Sequence, residues 1–288
     1  MNSLLIFILS VMSFVGGWFV RIQFPEPINR WLCSSFVSFF GIEMDEAEMP
    51  LKSYKSIEDV FTRKLKKDVR PIMSELVSPA EGTLSISAPA IEQQAVQVQG
   101  RNYDLGKLIG LRSSDQIDYQ LDSQSNKLSW YSTIYLAPHN YHRVHAPVSG
   151  ELVQITYVPG TLWPVNKLFV KFMPKLFLRN ERLIFEMKLD NGGTVYTVMV
   201  GALNVGRIVS PFWSDFATNS DIFKQEASTT LSFDSPRPVK VGEELGTFML
   251  GSTVVLVFDD KSLEKFPAIR DDLQSSIRLG EDLIKAKK

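Results

Sequence analysis

The chain holds three histidines, and all of them fall in one stretch, LAPHNYHRVHAP at residues 136–147. His139, His142 and His145 recur at every third position. Imidazole is the side chain that most readily moves protons at neutral pH, so this concentration predicts acid–base chemistry. A structural role, with a ring hydrogen-bonded in a loop, is the alternative for any one of the three.

A zinc site is the competing interpretation of three imidazoles. Residues spaced by three fall on alternate faces of a strand and on drifting faces of a helix, so only two rings could readily converge. No acidic residue interleaves them, and Pro138 and Pro147 bracket the stretch as an irregular strand end. The lone cysteine, Cys33, can build neither a thiolate zinc site nor an intrachain disulfide. We therefore predict catalysis and no metal.

A second stretch, MLGSTVV at residues 249–255, supplies a group for a histidine to deprotonate. Ser252 follows Gly251 between two apolar runs, and it could be a plain bulge residue. A sharply bent Gly–Ser bond offers another option, because the hydroxyl can attack the carbonyl of Gly251 and turn the amide into an ester. That attack needs a base and a carboxylate that orients the base, and Glu81 in VSPAEG is the candidate carboxylate.

From about residue 77 the pattern is that of β strands. Gly, Pro and Asn punctuate a series of alternating or apolar segments: TLSIS, AVQVQ, LSWYSTIYL, ELVQITYV and TVYTVMVGAL. Helical periodicity is scarce there, apart from short pieces near residues 104–110 and 165–178. The predicted fold class is therefore α+β, mainly β.

Two internal echoes accompany these strands. P-x-x-G-x-L occurs at residues 79–84 and at 147–152, and VKVGEEL at 239–245 is similar to IRLGEDL at 277–283. Each echo predicts a turn that enters a strand. Paired half-motifs of this kind resemble the flattened, pseudo-symmetric β sandwich of lipoyl and biotinyl carrier domains, and we expect such a core.

The N-terminal part differs in composition from the rest. Residues 1–20 carry no charged side chain, and as a helix they would rise about 30 Å, roughly the thickness of a bilayer's hydrocarbon core. No Lys or Arg precedes the apolar run, which argues against a cleavable signal peptide. Arg21 follows it and favours a cytoplasmic main domain. The sequence leaves open whether this segment spans the membrane, lies on it or is a buried core helix.

Two further helices are predicted before the strands. Residues 28–42, INRWLCSSFVSFFGI, place bulky apolar side chains on one face, and Pro27 suits a helix start. Such a face can lie in a membrane interface, although a core-facing helix fits too. Residues 53–67 predict a short basic helix, capped by Ser56 with Asp59, that could attract anionic headgroups.

Length and charge fit one main domain with an appendage. The chain has 288 residues and a net charge of −1, and this balance gives no reason to expect a nucleic-acid partner, which would need a basic face. We predict membrane-associated helices over residues 1–50 and a β-rich catalytic domain over residues 51–288.

Three motifs in this order, SPAEG, YHRVH and LGST, resemble those of phosphatidylserine decarboxylases. The resemblance runs from about residue 55 to 284 and extends to further segments: FTRKLKKDVRPI, GRNYDLGKLIG, YVPGTLWPVN, LRNER, VGALNVGRI and GEELGTFMLGST.

The resemblance implies a proenzyme that cuts itself between Gly251 and Ser252 into two chains. Ser252 becomes a pyruvoyl group, a ketone that takes up the amine of phosphatidylserine and accepts the electrons released with carbon dioxide. The product is phosphatidylethanolamine. By motif, His145 matches the cleavage histidine, His142 matches the histidine linked to decarboxylation, and His139 matches neither.

One departure from the family pattern concerns Glu81, where the pattern carries Asp. Glu keeps the charge but adds a methylene, and a misplacement near 1 Å can cost about a hundredfold in rate. An uncleaved, catalytically silent membrane-bound relative is therefore the alternative function. A lipoyl-like carrier would need a modified lysine at a hairpin tip, for which Lys261 is available, but apolar flanks are missing.

The expected partners are phosphatidylserine, a lipid bilayer and the two chains of one proenzyme, with a homo-oligomer left open and no nucleic acid. The expected location is the cell membrane, with the catalytic domain on the cytoplasmic side.

Overall fold

The computed structural model describes residues 15–96, 102–111, 127–165, 167–203, 207–218, 227–249 and 252–285. After a helical segment at residues 15–21, the helices are α1 Glu26–Phe40, α2 Ile57–Phe61, α3 Leu105–Leu108, α4 Lys167–Phe172, α5 Leu176–Arg179 and α6 Asp260–Lys265. The strands are β1 Gly82–Pro89, β2 Gln94–Val96, β3 Asn102–Asp104, β4 Leu128–Leu136, β5 Arg143–His145, β6 Gly150–Val158, β7 Arg182–Lys188, β8 Thr194–Val200, β9 Ile208–Val209, β10 Thr229–Val239, β11 Glu244–Phe248, β12 Ser252–Asp259 and β13 Ser275–Ile277.

One antiparallel sheet dominates the molecule. It has eight strands in the order β10-β6-β7-β8-β12-β4-β1-β13, and a smaller sheet has the order β5-β11-β9. β12 lies inside the large sheet, paired with β8 on one side and β4 on the other. Its residues 253–258 are buried, which explains their nearly unbroken apolar sequence. The predicted class, α+β and mainly β, is confirmed, while the lipoyl-like sandwich stays a prediction.

The internal echoes correspond to repeated local geometry. Gly82 and Gly150 begin β1 and β6, where an added Cβ would lie 2.1 Å and 2.5 Å from carbonyl oxygens of neighbouring strands. Gly242 and Gly280 adopt φ angles of +82° and +80°, which L side chains rarely adopt. The prediction is confirmed in part: a turn at residues 241–242 precedes β11, whereas the turn at residues 279–280 is followed by isolated bridges at Asp282 and Ile284 rather than by a strand.

The predicted basic helix is shorter than its pattern indicated. Ser56 accepts a hydrogen bond from the Asp59 amide at 3.1 Å, so the predicted cap is confirmed. The helix ends at Phe61, however, and the prediction of a helix to residue 67 is wrong. The reason is tertiary, because Lys64 and Lys66 form backbone hydrogen bonds with residues 46–48 instead of continuing the helix.

The α1 helix confirms the amphipathic pattern but divides its apolar residues between two environments. Phe36 and Phe40 pack against a small core cluster that includes Tyr54 and Val60. A second set points outward, with exposed fractions of 48%, 67% and 82% for Ile28, Trp31 and Phe39. Within the described ranges, no helix is long and apolar enough to cross a membrane. Most of the apolar segment at residues 1–20 lies outside those ranges.

Candidate active site

Residue 252 is the first residue of β12. Ser252 faces Leu136 in the register with β4, and Thr253 is paired with both Tyr135 and Val200. The segment that starts at Ser252 is therefore held by a strand on each side. Gly251 and the side chain of Ser252 lie outside the described part of the structure.

His142 lies beside the start of β12. Its Nε2 is 3.1 Å from the carbonyl oxygen of Ala137, the residue that follows Leu136. A carbonyl only accepts, so Nε2 carries the proton and Nδ1 holds a lone pair. Nδ1 is buried and has no hydrogen-bond partner among the described residues. The Phe61 ring stacks on the imidazole at 3.9 Å between centroids.

The surroundings of His142 keep its ring neutral. Burial lowers its pKa from the ordinary 6.5 to about 3, and Arg63 and His139 act in the same direction. The Ala137 hydrogen bond opposes this shift only in part. The imidazole is therefore neutral, and the lone pair of its buried Nδ1 is available to accept a proton.

His145 is oriented by a backbone turn. Its Nδ1 donates to the carbonyl of Gly242 at 2.8 Å, which leaves the lone pair on Nε2. That nitrogen is buried and lacks a partner among the described residues. Burial lowers the pKa of His145, while the Gly242 hydrogen bond and Glu244 oppose the change. The Tyr141 ring lies 5.8 Å from the imidazole, centroid to centroid.

His145 ends β5, and His142 directly precedes that strand. Residues three apart in an extended segment point to opposite faces, so the two rings are expected on opposite sides of the chain. Within the described ranges, no group of three His, Cys, Asp or Glu side chains could hold a metal ion. His139 is exposed, and its carbonyl accepts a hydrogen bond from Arg63 at 3.1 Å.

Glu81 lies close to the histidine stretch but is bound to other groups. Its carboxylate forms an ion pair with Arg70 and accepts a hydrogen bond from the Tyr141 amide at 3.4 Å. Two residues earlier, the Pro79 carbonyl accepts from the His145 amide at 2.8 Å. The structure thus brings SPAEG and YHRVH together through the backbone, but it does not place the Glu81 carboxylate on His145. The orienting role of Glu81 stays a prediction.

An apolar cavity opens beside β12. Its volume is about 240 Å³. It is lined by Ser85, Ile86, Thr133, Tyr135, Val165, Val170, Lys171, Phe177, Thr253 and Gln274. Since Thr253 directly follows Ser252, the cavity lies next to the start of β12.

Three groups that shape this site were not predicted from the sequence. They are the Arg70 guanidinium on Glu81, the Phe61 ring on His142, and the Gly242 carbonyl on His145. Gly242 had a usable signal, because it is the glycine of a predicted turn. No local pattern distinguishes Arg70 or Phe61 from a surface cation or an ordinary core aromatic.

Comparison with known proteins agrees with the motifs. The family model of phosphatidylserine decarboxylase matches residues 57–285. The phosphatidylserine decarboxylase proenzyme of Psychrobacter arcticus is 36% identical over 264 residues, covering 90% of this chain and 89% of the relative. Those of Brevibacillus brevis and Myxococcus xanthus are 34% and 32% identical, covering 83% and 94% of this chain and 82% and 92% of their own lengths.

The family match spans most of the chain and includes the SPAEG, YHRVH and LGST motifs. This chain therefore belongs to the phosphatidylserine decarboxylase family.

Proposed function

We propose that this chain is a proenzyme that cuts itself between Gly251 and Ser252 and then decarboxylates phosphatidylserine to phosphatidylethanolamine. Membership of the family supports the decarboxylase activity, and its relatives are named proenzymes. The observation that carries the proposal is the position of residue 252, the first residue of a central strand, opposite Leu136, whose neighbour Ala137 holds the neutral imidazole of His142. A cut before it would create a chain end that two neighbouring strands continue to hold.

The proposed cut begins with proton removal from the Ser252 hydroxyl. Its oxygen then attacks the Gly251 carbonyl, and the acyl group moves from the nitrogen of Ser252 to that oxygen. Elimination at residue 252 releases the Gly251 carboxylate, and hydrolysis of the remaining enamine releases ammonia and leaves a pyruvoyl group. The motif match assigns the base to His145, whose Nε2 has the lone pair to accept the proton.

A pyruvoyl group at residue 252 would supply a ketone that takes up the substrate amine and the electrons left by carbon dioxide. The surroundings fit such a group, because the buried Nδ1 of His142 and the Thr253 hydroxyl both lack partners among the described residues. β4 and β8 would fix the chain end. The apolar cavity beside Thr253 would keep water from the reacting carbon.

His142 is the residue proposed to serve turnover. Its Nε2–H is committed to the Ala137 carbonyl, so only Nδ1 can accept or return a proton. The Phe61 ring and the Ala137 hydrogen bond together hold the imidazole plane. A ring fixed in this way needs no reorganisation when the proton moves.

Membrane association is proposed through the N-terminal part. Ile28, Trp31 and Phe39 leave an outward apolar face on α1, which suits a helix lying in a lipid interface. Phosphatidylserine is a bilayer lipid, so an enzyme acting on it gains from lying on the bilayer. The proposed placement at the cell membrane, with the catalytic domain on the cytoplasmic side, rests on Arg21 following the apolar segment.

The test is the intact mass of the purified protein. The wild type should give two chains, residues 1–251 and 252–288, the smaller beginning with a pyruvoyl group. Ser252→Ala should give one chain of 32.6 kDa without decarboxylase activity. Ser232→Ala, at an exposed position of β10, is the matched control and should be cut as usual.

Three outcomes would contradict the proposal. An uncut, inactive wild type would indicate the silent relative, and decarboxylation by Ser252→Ala would exclude the pyruvoyl mechanism. A mass adduct on Lys261 would indicate the carrier, although this lysine lies in α6 rather than at a hairpin tip.

A further inference from the structure

The LRNER segment at residues 178–182 contains a buried carboxylate with no role in the chemistry described so far. It belongs to Glu181, which is 2% exposed and directly precedes β7. This carboxylate accepts hydrogen bonds from the Thr218 hydroxyl at 3.0 Å and from the Tyr157 hydroxyl at 3.3 Å. A buried carboxylate is costly to the fold, and such groups are concentrated where a protein handles protons or cations.

The register of the large sheet places Glu181 in the same row as residue 252. Thr253 of β12 pairs with Val200 of β8, so the preceding residue 252 lies next to Gly201. The Gly201 amide in turn donates to the Glu181 carbonyl at 2.9 Å. Neighbouring strands are about 4.8 Å apart, so two strand spacings separate the backbones of Glu181 and residue 252.

The glycine at position 201 allows the carboxylate to come closer than its backbone does. A Cβ on Gly201 would lie 3.0 Å from Glu181 Cγ and 3.2 Å from Oε1. The Glu181 side chain therefore lies over Gly201, on the side of β7 that faces β12. Oε1 is thus one strand spacing, about 5 Å, from residue 252 when measured across the sheet.

Hydrogen bonds on several sides fix this arrangement. Asn180, which is fully buried, donates from Nδ2 to the Gly201 carbonyl at 2.8 Å. The amide and the carbonyl of Gly201 are therefore both bonded to the segment that carries Glu181. The Thr218 hydroxyl, which donates to Glu181, accepts from the Ile208 amide at 2.9 Å. Such support keeps the carboxylate in one geometry, as a group that acts on a substrate requires.

His142 lies on the other side of residue 252. It is held at the end of β4, whereas Glu181 lies over β8, and β12 runs between these two strands. The small sheet connects the two groups, because the Phe248 amide donates to the His142 carbonyl at 3.0 Å and Phe248 pairs with Ile208. A ketone at residue 252 would thus have an imidazole on one side and a carboxylate on the other.

We propose that Glu181 is a further catalytic residue, the base that takes a proton from the amine of the substrate. At neutral pH this amine is a cation, and it has no lone pair with which to attack a ketone. A carboxylate attracts the ammonium group, which a neutral imidazole such as His142 does not.

The step moves one proton. It passes from the substrate nitrogen to Glu181 Oε1, and the electron pair of the broken N–H bond stays on the nitrogen. Glu181 returns the proton to the oxygen that leaves as water, so the carboxylate is regenerated. This role rests on the proposed pyruvoyl mechanism.

The experiment follows covalent capture of amines by the matured protein, and not turnover. One probe is glycerophosphoethanolamine, whose amine is a cation and which has no carboxylate to lose; cyanoborohydride fixes it after capture. The other is hydroxylamine, a much weaker base that is mostly neutral at pH 7 and needs no proton removed. The rate of capture is the rate at which the intact mass of chain 252–288 increases.

Glu181→Gln should be cut as usual but capture glycerophosphoethanolamine about a hundredfold more slowly, the low end for loss of an acid–base group. Its capture of hydroxylamine should be unchanged. Glu181→Asp should retain part of the rate, because the charge remains but the carboxylate is withdrawn by one methylene. Glu186→Gln is the matched control on β7, about 16 Å further along the strand, and should behave as the wild type does.

An equal loss of capture with both probes would overturn the proposal and leave Glu181 a structural role. So would undiminished capture of glycerophosphoethanolamine by Glu181→Gln, or a Glu181→Gln chain that stays uncut. If Glu181→Gln does not fold, Glu181→Asp decides by the same comparison of the two probes. Wild-type protein that captures neither probe would overturn the pyruvoyl group together with this role, whereas capture without selective loss in the variants overturns the role alone.

Discussion

At the scale of the residue, the site combines two imidazoles that are each fixed through one nitrogen. Backbone carbonyls of Ala137 and Gly242 set the tautomers of His142 and His145. In a serine–histidine–carboxylate arrangement an acid does this orienting. Here the carbonyls orient both rings, and Glu81 is instead bound to Arg70. The free lone pairs are Nδ1 of His142 and Nε2 of His145, which predicts two separable roles.

The first prediction separates these roles. His145→Ala should leave the chain uncut, because the assigned base is gone, while His142→Ala should be cut but release no carbon dioxide. Chain cutting is followed on a denaturing gel, with carbon dioxide release measured per cut chain. His139→Ala should behave as the wild type in both assays, since that ring is exposed. An uncut His142→Ala chain would transfer the maturation base to His142, which lies beside the start of β12.

The second prediction concerns stability in acid. The pKa of His142 is about 3 in the fold and 6.5 as its ordinary value, so the unfolded chain binds the proton first. The neutral ring favours the fold fully above pH 6.5, and this stability is lost as pH falls from 6.5 towards 3. The loss approaches about 1.4 kcal/mol per pH unit for one proton.

Urea unfolding of uncut Ser252→Ala protein between pH 7 and 4.5 measures this effect. Adding His142→Phe, which can still stack on Phe61, should reduce the dependence of unfolding free energy on pH and leave the part that comes from His145, whose pKa burial also lowers. Adding His139→Gln should leave that dependence unchanged. An unchanged slope in the His142→Phe protein would show that the ring takes up its proton within the fold.

The third prediction concerns Glu81. Glu81→Gln should slow cutting if the carboxylate assists His145, and it should also lower the melting temperature, because it removes one partner of the nearly buried Arg70. Glu46→Gln removes the other partner of Arg70 without touching the Tyr141 amide. It should lower stability and leave the cutting rate of folded protein unchanged. Equal cutting rates in the two variants would confine Glu81 to a structural role.

At the scale of the element, turns and strand ends position the chemistry. The β11 strand pairs with β5, and the turn before it supplies the Gly242 carbonyl to His145. The β4 strand ends beside the start of β12, and the next residue, Ala137, holds His142. The element bounds could largely be predicted, and LSWYSTIYL coincides with β4. The pairing of β5 with β11 could not be predicted, because about a hundred residues separate the two strands and no local sequence pattern identifies the partner strand.

The fourth prediction tests the turn at Gly242. Gly242→Ala forces a side chain into φ +82°, with its Cβ 2.5 Å from Ile72 Cδ1, so it should destabilise the fold by about 1 kcal/mol or more. Because the carbonyl that orients His145 would shift, cutting should also slow. Gly280→Ala is the control, since Gly280 has φ +80° and its Cβ would lie 2.6 Å from the backbone carbonyl oxygen of Pro71. It should destabilise the fold at least as much but leave folded protein cutting at the wild-type rate, and equal slowing in both would reduce Gly242 to a stability effect.

At the scale of the whole molecule, the sequence established the mainly β class and the order of the motifs, but not the surroundings of each group. Glu81 was predicted beside His145, and the backbone contact between Pro79 and His145 shows that the proximity was right. The carboxylate nevertheless pairs with Arg70, because tertiary packing and not the local sequence determines its partner. The same holds for α1, where one apolar pattern serves both a packed and an outward face. Only tertiary contacts determine which of these apolar side chains are packed and which point outward.

The last prediction tests the outward face of α1. Deleting residues 1–43 should release the protein from membranes, but it also removes side chains that pack against Tyr54 and Val60. A cleaner change is the pair Trp31→Ser and Phe39→Ser, because these side chains are 67% and 82% exposed and contribute little to the core.

The double variant should keep the wild-type melting temperature and sediment much less with phosphatidylserine vesicles. Its activity on vesicle-embedded substrate should fall far more than its activity on a short-chain soluble analogue, because only the former needs the bilayer. Phe36→Ser, on the packed face, is the matched control and should lower the melting temperature instead. Undiminished sedimentation of the double variant would place the membrane contact elsewhere, with the basic residues after α2 as the next surface to change.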